Sequence, residues 1–77
     1  MHLPELVRRV DSRESFLAFV AALHADLRSD AASWENPSLD RYLEALHSWT
    51  EDMGERLPQS PSWRILADIL YAAKIYE

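Results

Sequence analysis

Four stretches of the chain carry apolar residues at helical spacing, separated by polar or helix-breaking residues. In the first, Leu3, Leu6, Val7 and Val10 recur every three or four positions around Arg8 and Arg9, enough for a short helix over 3–10. In the second, Phe16, Phe19, Val20, Leu23 and Leu27 form one stripe and predict a helix over 12–29. Asp11 has the N-cap chemistry for it, and Glu14, three residues on, completes a capping box. In the third, Leu39, Tyr42, Leu43, Leu46, Trp49 and Met53 share a face and predict a helix over 37–54. Asn36 offers a side-chain oxygen to cap that helix, and Pro37 suits its first position, where no N–H is needed. Gly54 supplies a left-handed stop. Ser60-Pro61 repeats the cap-then-proline pattern and opens a last helix over 61–76. No stretch alternates with period two, so no strand is expected.

The last helix differs from the others in being apolar on nearly every side. Leu66, Ile69, Leu70 and Ala73 share one face, and Trp63, Ile65, Ala72 and Tyr76 widen it. Arg64 and Asp68 mark the only polar edge, with Tyr71 and Ile75 beside it. Such a helix is normally hidden, at the centre of a bundle or against another chain. The expected fold is all-α: a small three-helix bundle running up-down-up, with the short N-terminal helical turn covering one end.

Composition narrows the function more by exclusion than by assignment. Seventy-seven residues make one domain. The chain has no Cys and one Gly, which removes disulfides, thiolate metal sites and glycine-rich phosphate loops. A small domain without such staples suits a reducing, cytoplasmic setting. The longest apolar run, Phe16 to Leu23, falls far short of the ~20 residues that span a bilayer, and no cationic patch precedes an apolar run at the start. No membrane association is therefore expected. Thirteen acidic residues against eight basic ones give a net charge of −5, which opposes nucleic-acid binding through phosphate neutralisation.

The charged positions suggest binding rather than chemistry. Asp40, Glu44, His47, Glu51 and Glu55 fall on one stripe of the third stretch, opposite its apolar face. That stripe is either an ordinary solvated face or a docking surface for a basic protein. Glu44-x-x-His47 has the spacing of di-metal carboxylate bundles, but it occurs once and off the apolar face, so no metal or cofactor is expected. His2, His24 and His47 are scattered, and none of the serines sits in an activating motif, so the chain reads as non-catalytic. A carboxylate site around Glu35 and Asp52 is the enzymatic alternative, and Asp52 also has Arg56 as a nearby ion-pair partner. Trp34, in a loop, is either a lid over the bundle end or an exposed aromatic anchor for a partner. Tyr71, Ile75 and Tyr76 would be the contact of a homodimer formed through the last helix.

Several short motifs add a resemblance. Trp34-Glu35-Asn36, Tyr42-Leu43-Glu44-Ala45, Trp49, Glu51-Asp52-Met53, Trp63, Ala67-Asp68 and the closing Ala72-Ala73-Lys74-Ile75-Tyr76-Glu77 occur in that order, preceded by Arg13-Glu14-Ser15-Phe16. In combination the chain resembles a family of small uncharacterised bacterial helical proteins, a domain of unknown function. The resemblance implies a helical domain and no particular activity. It makes Trp34, Glu35, Asn36, Glu51, Asp52, Tyr76 and Glu77 the residues of any shared site. The expectation is a small acidic protein-interaction module, immunity- or antitoxin-like, that binds a basic protein; the alternatives are the homodimer and the carboxylate enzyme.

Overall fold

The computed structural model describes residues 2–77. It contains four α-helices, α1 (Leu3–Arg8), α2 (Arg13–Ser29), α3 (Leu39–Met53) and α4 (Trp63–Ile75), with single 3-10 turns at Ala31–Ser33 and Gly54–Arg56. Among the described residues there is no strand. The chain is a small all-α bundle.

Each long helix starts one or two residues later than its sequence signal suggests. Ser12, not Asp11, caps α2. Its hydroxyl accepts the Ser15 N–H at 3.1 Å, while the Ser15 hydroxyl accepts the Ser12 N–H at 3.0 Å, so the capping box closes through Ser15 rather than Glu14. Ser38, not Asn36, caps α3 by accepting from the Arg41 N–H at 3.2 Å. Ser62, not Ser60, caps α4 by accepting from the Ile65 N–H at 3.2 Å. Pro37 and Pro61 therefore lie just outside their helices. Gly54 ends α3 at φ +52°, a conformation that carries little strain only for glycine.

The arrangement is built around α4. Helix α3 packs along one flank of it, and α1 and α2 pack along the other, while α2 and α3 do not approach each other. A helix apolar all round can lose most of its surface only in such a middle position, and Ala67 and Ala73 are fully enclosed there. Tyr71, partly buried, packs against the core cluster of Leu3, Val7, Val10, Phe19, Leu23, Trp34 and Ala67. Helix α1 lies along α4 and α2 instead of merely closing an end; the Arg64 guanidinium donates to the Arg8 carbonyl at 3.1 Å, tying the two together.

Helix directions follow from three pairs. The Phe16 and Trp63 rings, 5.3 Å apart, join the starts of α2 and α4. Asp26 and Lys74, 2.9 Å apart, join their ends. The Tyr42 hydroxyl donates to the Leu70 carbonyl at 2.8 Å, so α3 runs the opposite way. The result measures 33 × 26 × 16 Å, a slab whose thin dimension is under two helix diameters.

Candidate functional site

Trp34-Glu35-Asn36 clamps the C-terminus of α4. The last carbonyls of a helix lack partners within it and need donors from elsewhere. Here the Glu35 and Asn36 backbone N–H groups both donate to the Lys74 carbonyl, at 3.1 and 3.2 Å. The Asn36 side-chain amide donates to the Ala73 carbonyl at 3.0 Å and the Tyr76 carbonyl at 2.7 Å. Asn36 is only 6% exposed, and its bond to the Ala73 carbonyl is buried while that to the Tyr76 carbonyl is partly so. A residue expected to start α3 thus finishes α4, because both hydrogens of its amide are drawn to carbonyls roughly forty positions along the chain.

Trp34 is the lid of this end and not an exposed anchor, at 7% exposure. Its indole N–H donates to the Asp26 carboxylate at 2.8 Å, its ring lies 5.9 Å from that of Tyr42, and the Lys74 ammonium sits 5.5 Å from its centroid. Lys74 also pairs with Asp26. The Lys74 ammonium first, and the Trp34 N–H second, hold the Asp26 carboxyl below its ordinary range, against partial burial. Burial pushes the Tyr42 phenol up to about 12.

Beside the clamp, on the seam between α3 and the end of α4, lies a polar recess of about 230 Å³. Three carboxylates, Glu35, Glu44 and Glu77, reach it, together with Asn36 and Tyr76, and Arg41 is its only cation. The Tyr76 hydroxyl continues along α3 and donates to Asp52, which is therefore engaged by Tyr76 rather than by Arg56. Asp40 and Glu51 are exposed on α3, and Glu55 is exposed in the turn that follows it. Among the described residues no ion pair involves any α3 carboxylate.

The recess thus gathers Glu35, Asn36, Glu44 and Tyr76, and leaves Asp52 at its edge. Glu35 lines the recess, and Asp52 is reached from it only through the Tyr76 hydroxyl. Ile75 is exposed, apart from the recess residues, and Tyr71 is partly buried against the core. Among the described residues no group of three or more His, Asp or Glu is placed to hold a metal ion, and Glu44-x-x-His47 remains a lone pair.

Periodicity did not foretell a second surface. Between α2 and α3, on the side of α4 away from α1, an apolar groove of about 240 Å³ opens between Val20, Leu23, His24 and Leu27 on one wall and Leu39 and Tyr42 on the other. Leu39 is 73% exposed, and helical spacing extends the surface to Leu43 at 53% and Leu17 at 51%. The sequence signal was present in these residues, but a stripe of leucines does not say which of them the rest of the chain will cover.

The family model that matches residues 12–77 is described as a family of unknown function (DUF7660). No curated protein and no solved structure gives a significant match.

Proposed function

The chain belongs to this family of unknown function, and from that premise we propose that it is a non-catalytic module that binds a basic protein through α3 and the recess beside it. The observation that carries the reading is the convergence of Glu35, Glu44 and Glu77 on one recess with a single opposing cation, Arg41. Three carboxylates lining one recess give it a negative field, and a Lys or Arg side chain entering it gains charge-assisted hydrogen bonds. The recess opens beside the outer carboxylates Asp40, Glu51 and Glu55, so an approaching basic surface meets a continuous acidic field. Such a field raises association rates and fades with added salt. Small size, net charge of −5 and unpaired α3 carboxylates all suit a partner that covers and neutralises a basic protein, as an immunity or antitoxin protein does.

Titration calorimetry with an Arg/Lys-rich peptide at about 20 and about 300 mM salt tests this, because the screening length shrinks severalfold over that range. The expected result is binding that weakens at least about tenfold across it, and weakens further in Glu35→Gln and Glu44→Gln, each by up to about fivefold for a partly exposed pair. Equal affinity at both salts, or full affinity in both variants, sinks the reading.

A further inference from the structure

The groove between α2 and α3 is the less explained of the two surfaces. Domains bury apolar faces between at least two layers of secondary structure. Here α2, α4 and α3 form one layer, α1 covers part of one face, and the opposite face has no second layer, leaving Leu17, Leu39 and Leu43 half exposed or more. Exposed leucines so aligned on two neighbouring helices mark a contact surface.

The charges along its rims say what fits. Helical spacing puts Arg13, Glu14 and Arg28 on the outer flank of α2 and Asp40 and Glu51 on that of α3, beside the groove and not in its lining. Among the described residues none of these five takes part in an ion pair. The α2 flank is basic on balance and the α3 flank acidic, which is the arrangement a self-complementary contact requires. Because α2 and α3 run in opposite directions, Leu27 and Leu39 stand at the same level of the groove. A two-fold axis parallel to the helices keeps each residue at its level and lays the α3 of one copy over the α2 of the other. Asp40 of each copy then meets Arg28 of its mate, and Glu51 comes within reach of Arg13. Leu39 and Leu43 of each copy enter the groove beside Leu17, Val20 and Leu27 of the other.

We propose that a second copy of this chain occupies the groove, so that α2 and α3 of two copies form a four-helix layer closed by reciprocal Arg28–Asp40 pairs. The dimer surface is then α2 and α3, not α4. It leaves the recess of Glu35, Glu44 and Glu77 open on each copy but draws Asp40 and Glu51 into the dimer contact, so that in the dimer a basic partner meets the recess and Glu55 without them.

Sedimentation equilibrium and light scattering on the intact chain provide the test. The expected mass is twice 8.9 kDa at micromolar concentration. Leu43→Lys, a change to a good helix former at an exposed position, should weaken the dimer at least about tenfold while leaving helicity and the thermal midpoint of the monomer unchanged. Arg28→Glu and Asp40→Arg should each weaken it about threefold to tenfold, and the two together in one chain should restore it to within about twofold, because both reciprocal pairs are then reversed. A wild-type chain that stays at 8.9 kDa up to about 0.5 mM overturns the proposal, since a contact that weak has no place at cellular concentrations. So does a dimer indifferent to Leu43→Lys, which would use another face, or a double variant no tighter than its parents.

Discussion

Replacing Asn36 with Ala should cost more than any other single polar change in the chain. The side chain makes two hydrogen bonds, at 3.0 Å to the Ala73 carbonyl and 2.7 Å to the Tyr76 carbonyl, and lies 6% exposed. A net hydrogen bond contributes about 1 kcal/mol, and a buried acceptor left without a donor costs about 1–3 kcal/mol. Water can reach the Tyr76 carbonyl, which is only partly buried, and so can replace part of that bond. The Ala73 carbonyl has less access, and the expected loss for the pair is about 2–3 kcal/mol. For a domain of this size each kcal/mol moves the midpoint by about 4–8 °C, so Asn36→Ala should melt at least about 8 °C lower. Thermal and urea unfolding followed by circular dichroism and tryptophan fluorescence read this directly.

Asn36→Asp sharpens the test. It keeps the shape, removes both donors and sets a negative charge against two carbonyl oxygens. Its carboxyl is then easier to protonate in the folded state than in the unfolded chain, so its folded pKa is raised. The variant should regain stability relative to Asn36→Ala as pH falls through that raised pKa, and lose it as pH rises. An Asn36→Ala loss below about 0.5 kcal/mol, the level of an ordinary surface substitution, would refute the assignment of Asn36 as the closing group of α4.

Four further outcomes follow from the same geometry. Lys74 is the first cause of the depressed Asp26 pKa, and a depressed carboxylate stabilises above its unfolded value and loses that contribution as pH falls through the folded one; Lys74→Met should therefore flatten the stability profile below about pH 4, as acid unfolding curves would show. Tyr42→Phe removes the bond to the Leu70 carbonyl and should cost about 1 kcal/mol. With the Tyr42 phenol pushed up to about 12, phenolate absorbance should show one tyrosine ionising late, and stability should decline as pH rises from 10 towards 12. Gly54→Ala meets no atom within 4 Å, so its expected cost of about 1–3 kcal/mol comes from the backbone at φ +52° alone; an unchanged urea midpoint would contradict that.

The helices were readable from the spacing of apolar residues, because that spacing records which side of each segment meets the core. That α4 would be covered was readable too, from the absence of a polar face, but not whether the bundle or another chain would cover it. The helix starts were not, since Ser, Asp and Asn all have N-cap chemistry and the pairs at Ser12 and Ser15, Ser38 and Arg41, and Ser62 and Ile65 are settled by which hydroxyl reaches a third N–H. Asn36 misled for a deeper reason. Local pattern sees a capping residue before Pro37, whereas the residue's partners lie on α4 and exist only once the chain has folded. The recess was half legible: Glu35, Asn36, Glu44 and Tyr76 stood out as costly residue types, but nothing linear joins 35 to 76. Leu39 and Leu43 were assigned to the core with the rest of their stripe, and only the geometry around α4 shows that the stripe is wider than the helix it covers.

Lys74 is the only lysine in the chain, and its side chain is 12% exposed, held against Asp26 beneath the Trp34 ring. Amine-directed reagents applied to the native fold should therefore largely spare this side chain. Acylation of Lys74, followed by mass spectrometry, would then clock each release of the last turn of α4 from its clamp, with no label built into the protein.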